Sequence, residues 1–493
     1  MLGQRMQKLL SMLVPLLICS ACVDEKIVYR DGPNFVAPPN NAASFLGYSD
    51  HTTQKTVCGS CHVSQQGRWV ETAHSGAFET LSGSGEMQGT CQRCHTVNNL
   101  GNVVTDTVAG WRSTKDDRYK DVQCESCHGP GLPHVTAPAR GQMLASIHAD
   151  TGSGVTNGCA ECHSGSHHPF VDEWRKSRHA TSYTRAYNGS TATAPEVPGG
   201  PRAACQGCHI GQRVLENWGV NTNYIEKNLG QTAATGEGVT CTVCHDPHGS
   251  SFGKQLRYAV DSRDPETNLC VKCHNRRGNP DFTGNRDSPH APHGPLVFGT
   301  AGWWPPDVAF EETQSSHGSD RNAKLCAGCH VQNYAVTDKL TNRFQVQVVG
   351  HRFLPIPCVD ANGAPTDSQT CTNAQRSFRS CAASGCHATQ AAARTAFETA
   401  EADVALLTGA LDNMLTQVPA SQKLPAAAGK VTSARGAAYN SALAKTPGAV
   451  AHNAFLVKAL LRASIAQVSK EYNIPKPPGT NIAPYDRIIL GRP

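Results

Sequence analysis

The chain has 493 residues and a formal charge of +5, with 39% hydrophobic and only 6% aromatic residues but 22 Cys and 22 His. That length suits two or three domains, yet large apolar side chains are too few to fill their cores, so bound apolar groups must supply the missing buried surface. Lys and Arg are scattered without a basic block of five or six, which argues against nucleic acid as a partner.

Arg5 and Lys8 form a positive start, Leu9 to Ile18 an apolar run too short to span a bilayer, and Ser20 and Ala21 precede Cys22. The ending C-S-A-C resembles a bacterial lipobox, with Cys19 where leucine is usual. Residues 1–22 are therefore expected to be a lipoprotein signal peptide and Cys22 a lipidated membrane anchor; plain secretion is the alternative. Either route leads out of the cytoplasm, where unbridged thiols seldom persist. Val23, not Asp, follows the cysteine, which under the family-level sorting rule favours the outer membrane. Residues 23–50, with Pro38-Pro39 and Asn40-Asn41, are expected to be a tether.

Cys-x-x-Cys-His then occurs eight times: Cys58-Cys61-His62, Cys91-Cys94-His95, Cys124-Cys127-His128, Cys159-Cys162-His163, Cys205-Cys208-His209, Cys241-Cys244-His245, Cys270-Cys273-His274 and Cys326-Cys329-His330. Chance predicts about 0.04 copies of this haem c attachment motif. Two thiols form thioethers to the haem vinyl groups, and the adjacent histidine becomes the proximal iron ligand. Zinc ribbons need no histidine after every pair, and thioredoxin-like motifs occur singly. Eight covalent haem c groups follow.

Cys381, Cys386 and His387, in C-A-A-S-G-C-H, supply a ninth motif with a widened loop. A disulfide network among Cys358, Cys371, Cys381 and Cys386 is the alternative; the favoured reading is a ninth haem plus a Cys358–Cys371 bridge.

Thirteen histidines remain for distal ligation, against three mature methionines, Met87, Met143 and Met414. Bis-His ligation, which generally gives lower potentials than His/Met, should therefore dominate. An internal repeat marks His74 (R-W-V-E-T-A-H) and His179 (E-W-R-K-S-R-H), each five residues after a tryptophan, Trp69 and Trp174. His248, three residues beyond His245, suits a neighbouring haem, and at least one of His290 and His293 in S-P-H-A-P-H is expected to ligate. His51, His134, His148, His317, His351 and His452 complete the distal candidates. His167, beside His168, is read as solvated.

Residues 51–387 hold every motif and are rich in Gly and Pro, which predicts loops and short helices wrapped around haems. From 388 the character changes. Ala393, Phe397, Ala400, Val404, Leu407, Leu411 and Met414 recur at helical spacing, Pro447-Gly448 breaks the pattern, a second helix runs to about Tyr472, and the end is Pro-rich and extended. On that second helix His452 shares a face with Phe455, Leu456, Ala459, Leu460 and Ala463. The expected class is mainly α with extensive loops: a haem-packed core plus a C-terminal helical segment over 388–493.

The W-x4-H phrase, C-E-S-C-H-G-P-G at Cys124–Gly131 and C-H-D-P-H resemble the multihaem cytochromes of the tetrahaem cytochrome, hydroxylamine oxidoreductase and pentahaem nitrite reductase lineage. With the lipobox, the whole resembles outer-membrane lipoprotein cytochromes of metal-reducing bacteria. The resemblance implies closely stacked haems carrying electrons across the periplasm or outer membrane surface, with redox partner cytochromes or a porin–cytochrome complex as partners; an oligomer or filament is compatible with it. The competing function is a haem enzyme reducing nitrite, hydroxylamine or a sulfur oxyanion at one open iron. Relatives often mark that iron with Cys-x-x-Cys-Lys, which this chain lacks.

Overall fold

The computed structural model describes residues 44–140, 142–149, 158–184, 203–220, 223–229, 235–281, 288–306, 315–383, 387–423 and 431–482. The signal segment, Cys22 and most of the expected tether, together with Cys386 and the final residues, lie outside these. The described residues share one compact unit that starts at Asn40.

The architecture is mainly helical with long loops. Among the described residues sheet is limited to two antiparallel pairs, Tyr48–Asp50 with Lys55–Thr56, and Tyr334–Thr337 with Phe344–Val348. Up to residue 383 the helices are short, because each motif itself forms a single turn. Cys58–Ser60, Cys91–Arg93 and Cys159–Glu161 are 3-10 turns; Cys124–His128, Ala203–His209, Cys241–Cys244 and Leu325–His330 are α-helical. The turn closes through the first cysteine's carbonyl, which accepts from His62 N at 2.9 Å, His163 N at 2.9 Å and His245 N at 2.8 Å. One helical turn puts residues three apart on the same side, so both thiols and the histidine address one ligand.

Side-chain cores in this region are small. One comprises Phe45, Val97, Ala109, Trp111 and Tyr119, another Ile147, Val214, Leu215, Tyr224 and Val243. Here the structure departs from the expected tether: Phe45, Leu46 and Tyr48 are buried. Tyr119 Oη donates to the Phe45 carbonyl at 3.0 Å, and the Glu125 carboxylate accepts from the Leu46 and Gly47 amides at 2.9 and 2.7 Å.

Among the described residues the one large apolar cluster is built chiefly from three C-terminal helices: α1 (Gln390–Gln417), α2 (Ser433–Ala444) and α3 (Ala449–Tyr472). Thr389 caps α1, accepting from Ala392 N at 3.0 Å, and Ala393, Val404, Leu407, Leu411 and Met414 are buried along it as the spacing predicts. The sequence suggested two long helices, and α2 is additional. It is built mostly from Ala, Gly and Ser, and Tyr439 and Leu443 are the large side chains buried on its inward face, too few for a recognisable periodic run. Instead Gly436 lies flat on Trp303, where a Cβ would stand 2.1 Å from the indole, and Asn440 grips the Trp303 backbone, accepting from its N–H at 2.8 Å and donating to its carbonyl at 2.6 Å. By length and composition α3 could cross a membrane, with a mean hydropathy of 1.2, but 61% of that stretch is buried, largely in the apolar cluster it shares with α1 and α2. Cys358 and Cys371 form the expected disulfide, with a Cα–Cα distance of 6.1 Å.

Candidate haem-binding sites

A metal held between two imidazole nitrogens at about 2.0 Å each requires ring centroids about 6.3 Å apart. Eight of the nine proximal-motif histidines face a second histidine at that spacing. The pairs are His62–His134 at 6.4 Å, His163–His74 at 6.1 Å, His128–His248 at 6.1 Å, His209–His290 at 6.2 Å, His245–His351 at 6.4 Å, His274–His179 at 6.2 Å, His387–His317 at 6.4 Å and His330–His452 at 6.1 Å. Histidines in van der Waals contact would stand closer. The shared distance is that of rings clasping a metal from opposite faces.

The ninth, His95, has His168 as its neighbour. Burial first, then the charges of His95 and His167, hold the His168 imidazole below its ordinary pKa. His168 was not among the sequence candidates. Its neighbour His167 stacks on the half-exposed Phe344 at 4.9 Å.

Ring orientation supports the same geometry. Nδ1 donates to a backbone carbonyl in His95 (Ala77, 2.8 Å), His128 (Met143, 2.7 Å), His245 (Lys254, 2.8 Å), His330 (Phe353, 2.8 Å), His209 (Ser182, 3.3 Å), His317 (Ala451, 2.7 Å) and His351 (Val349, 3.0 Å). A donor at Nδ1 fixes the tautomer and leaves the Nε2 lone pair for a metal. Burial is the first cause that pushes His163 and His179 down to about 4, and His274 and His452 to about 3, which keeps these four imidazoles neutral, as ligation requires.

Three sequence candidates face no proximal histidine at this distance. His51 is exposed and packs edge-on against Tyr48 at 5.3 Å. His148 is engaged by carboxylates, with Nδ1 2.8 Å from Glu237 and Nε2 3.5 Å from Glu226. His293 lies against two other imidazoles, His274 at 5.3 Å and His452 at 5.4 Å.

The tryptophans of the internal repeat have equivalent tasks. Trp69 Nε1 donates to the Val122 carbonyl at 3.0 Å and Trp174 Nε1 to the Val239 carbonyl at 2.8 Å. The His74 and His179 carbonyls accept from the amides of those same two valines. Val122 and Val239 each lie two residues ahead of a motif, Cys124 and Cys241. The repeat thus ties one distal histidine's backbone to the entry of another motif. Glu173, just before Trp174, adds a clasp sequence reading had not marked: its buried carboxylate accepts from Val349 N at 2.9 Å and His351 N at 2.6 Å.

Cysteines of different motifs also touch. Cys58 lies beside Cys124, Cys94 beside Cys162, Cys159 beside Cys241, Cys208 beside Cys273 and Cys270 beside Cys326. Cys127 lies close enough to Cys159, and Cys244 to Cys270, for their charges to interact. At the remaining end, Ala451 accepts from His317 while the next residue, His452, faces His330. Paired thiols, facing imidazoles with fixed tautomers and a shortage of side-chain core all fit covalently held haem.

The family described as cytochrome c554 and c-prime matches residues 57–129 and 158–246, and the doubled CXXCH motif family matches 232–279. The two stretches of the first match coincide with motifs one to three and four to six. No curated protein sequence matches the chain. The crystal structure of the outer cell wall cytochrome OcwA is similar over 86% of this chain and 100% of its own, with a TM-score of 0.54 and 16% identity, a likeness of fold. Motifs, family matches and fold agree: the chain is a multihaem c-type cytochrome, a carrier of electrons through covalently bound haem.

Proposed function

We propose that the chain is an electron conduit with nine haems, each held by one motif and by the histidine pair described above, His95 with His168 included. Haem supplies one-electron ferric/ferrous chemistry; the polypeptide sets spacing, ligation and potential. The observation that carries this reading is the common 6.1–6.4 Å separation of facing imidazoles at eight of the nine motifs, which supports bis-His, low-potential iron there; His168 beside His95 extends the reading to the ninth, against the open distal side that reduction of nitrite, hydroxylamine or a sulfur oxyanion needs. The contacts between cysteines join the motifs of His62, His128, His163, His245, His274 and His330 in one series, with His95 branching at His163 and His209 at His274, and the adjacent Ala451 and His452 link the His387 site to its end. At this density bound groups are neighbours, as a conduit requires.

Stoichiometry tests the count. Nine haems add roughly 5.5 kDa to the polypeptide, and Cys386→Ala should impair attachment of the ninth alone. An intact mass carrying only eight would return Cys381 and Cys386 to the thiol column.

We assign the protein to the outer membrane, held by a lipid on Cys22 and passing electrons to redox partners there or to extracellular acceptors. The signal segment supports export, and the similar crystal structure is described as that of an outer cell wall cytochrome. Cys22→Ala should move the protein from the membrane to the soluble fraction with its haem content unchanged. A wild-type protein already soluble and free of acyl groups sinks the anchor.

A further inference from the structure

We propose that His293 is an electronic positioning residue: it accepts a hydrogen bond from the proximal ligand His274 and thereby lowers the potential of that one haem. The inference rests on the ligation assigned to His274 under Proposed function.

The five other proximal histidines with a described Nδ1 contact (His95, His128, His209, His245 and His330) all donate to a backbone carbonyl. His274 differs. Its Nδ1 lies 3.3 Å from Nδ1 of His293, with ring centroids 5.3 Å apart and nearly perpendicular, at 65°. A neutral imidazole carries one N–H. A histidine that binds iron through Nε2 keeps that proton on Nδ1, so in this contact His274 is the donor and the facing nitrogen of His293 the acceptor.

An imidazole nitrogen is a stronger base than an amide carbonyl, so it draws the Nδ1 proton of His274 further away. The coordinating nitrogen gains negative character, and this favours ferric over ferrous iron. Outer-shell partners of this kind change metal binding 10–100-fold; if the change falls mainly on the ferric state, the potential drops. The position matters because His274 is a junction of the series: its motif cysteines touch those of the His209 and His330 motifs. His293 also stands 5.4 Å from His452, the imidazole facing His330, so a single side chain touches the ligand sets of two neighbouring sites. Gly294 adds a constraint on its placement: the His274 carbonyl accepts from Gly294 N at 2.9 Å, fixing the backbone of His293 against the ligand it addresses.

The test compares His293→Phe, which keeps a ring and removes the acceptor, with His293→Gln, whose side-chain amide carbonyl can still accept. In His293→Phe one haem should shift about tenfold toward ferrous iron, a rise of about 59 mV for one electron, and the g-values of one low-spin ferric signal should change. His293→Gln, whose amide carbonyl still accepts but less strongly than imidazole, should fall between wild type and His293→Phe on both measures, and both variants should keep the full haem count. Equal shifts in the two variants, or none in either, overturn the role. If the Phe variant loses a haem, His293→Leu replaces it; loss of the haem there too makes His293 a structural prop and overturns the proposal. A high-spin signal in the wild type is a separate result, which sinks the ligation reading itself, whereas an unshifted, fully low-spin Phe variant sinks only the role of His293.

Discussion

His452→Met should raise the potential of one haem by a sizeable fraction of the about 0.8 V that axial ligands span, while haem content stays constant. The ring of His452 faces His330 at 6.1 Å, the two planes within 19° of each other. Its local structure is built for that position. The helix α3 breaks at Asn453, whose backbone is extended, and Asn453 Oδ1 accepts from Leu456 N at 3.0 Å. Asn453 is thus the N-cap of the long apolar segment, and His452 stands just outside it on a separate turn. Gly448, at φ 82°, gives the ring room; a Cβ there would lie 3.0 Å from Cε1. Thioether sulfur is a weaker donor than imidazole and stabilises ferrous iron, so His/Met ligation raises the potential. A redox titration should show a single component displaced upward, accompanied by a His/Met near-infrared band. The wild type should leave its reduced spectrum unchanged under carbon monoxide, the response that the proposed six-coordinate irons require. A titration and near-infrared spectrum identical to wild type would falsify ligation by His452.

The contrast between proximal and distal ligands shows which information is local. A proximal site is five consecutive residues in one helical turn, so spacing alone reveals it. A distal histidine is defined by where the chain returns. His290 and His293 stand three apart in S-P-H-A-P-H and cannot be ranked by pattern, yet the fold turns His290 toward His209 and His293 toward His274. His168 was passed over because it follows His167 in a polar stretch. The repeat held a usable signal for it. His74 follows the first motif and faces the fourth, and His179 follows the fourth and faces the seventh. By the same register His168, after the fourth motif and beside the second, matches His290, after the seventh and facing the fifth. Helix α2 escaped for a different reason: apart from Tyr439 and Leu443 its inward residues are small or polar, and at Gly436 a tryptophan, not a leucine stripe, fills the space against it. The stripe of Leu456, Ala459, Leu460 and Ala463 is buried as its spacing predicts, but His452 does not share that face: the chain breaks at Asn453, and the separate turn beside Gly448 is what turns the ring toward His330.

Glu125→Ala should destabilise the N-terminal part of the core by about 4 kcal/mol, since each of three buried N–H groups that loses its acceptor costs about 1–3 kcal/mol. The carboxylate accepts from Leu46 N at 2.9 Å, Gly47 N at 2.7 Å and Gly131 N at 2.7 Å, and its residue is 2% exposed. It sits between the two cysteines of the third motif, so one side chain ties the segment entering the core to the loop leaving that motif. Burial pushes this carboxyl up to about 7, against the opposing pull of the three amides. A folded-state value above the unfolded one means the protonated acid favours the fold: the stability is fully present at low pH and declines as pH rises through 7. The wild type's advantage over Glu125→Ala should therefore be larger at pH 5 than at pH 8. Glu125→Gln should fall between the two proteins, because its amide presents an N–H to one of the three donors and keeps an acceptor for the others. The effect should be local first. Limited proteolysis of Glu125→Ala should cut ahead of Cys58, releasing the buried Phe45, Leu46 and Tyr48 at temperatures where the wild type resists, with the haem complement intact. Equal resistance in both proteins would show that the strap is held by Tyr119 and its apolar neighbours without the carboxylate.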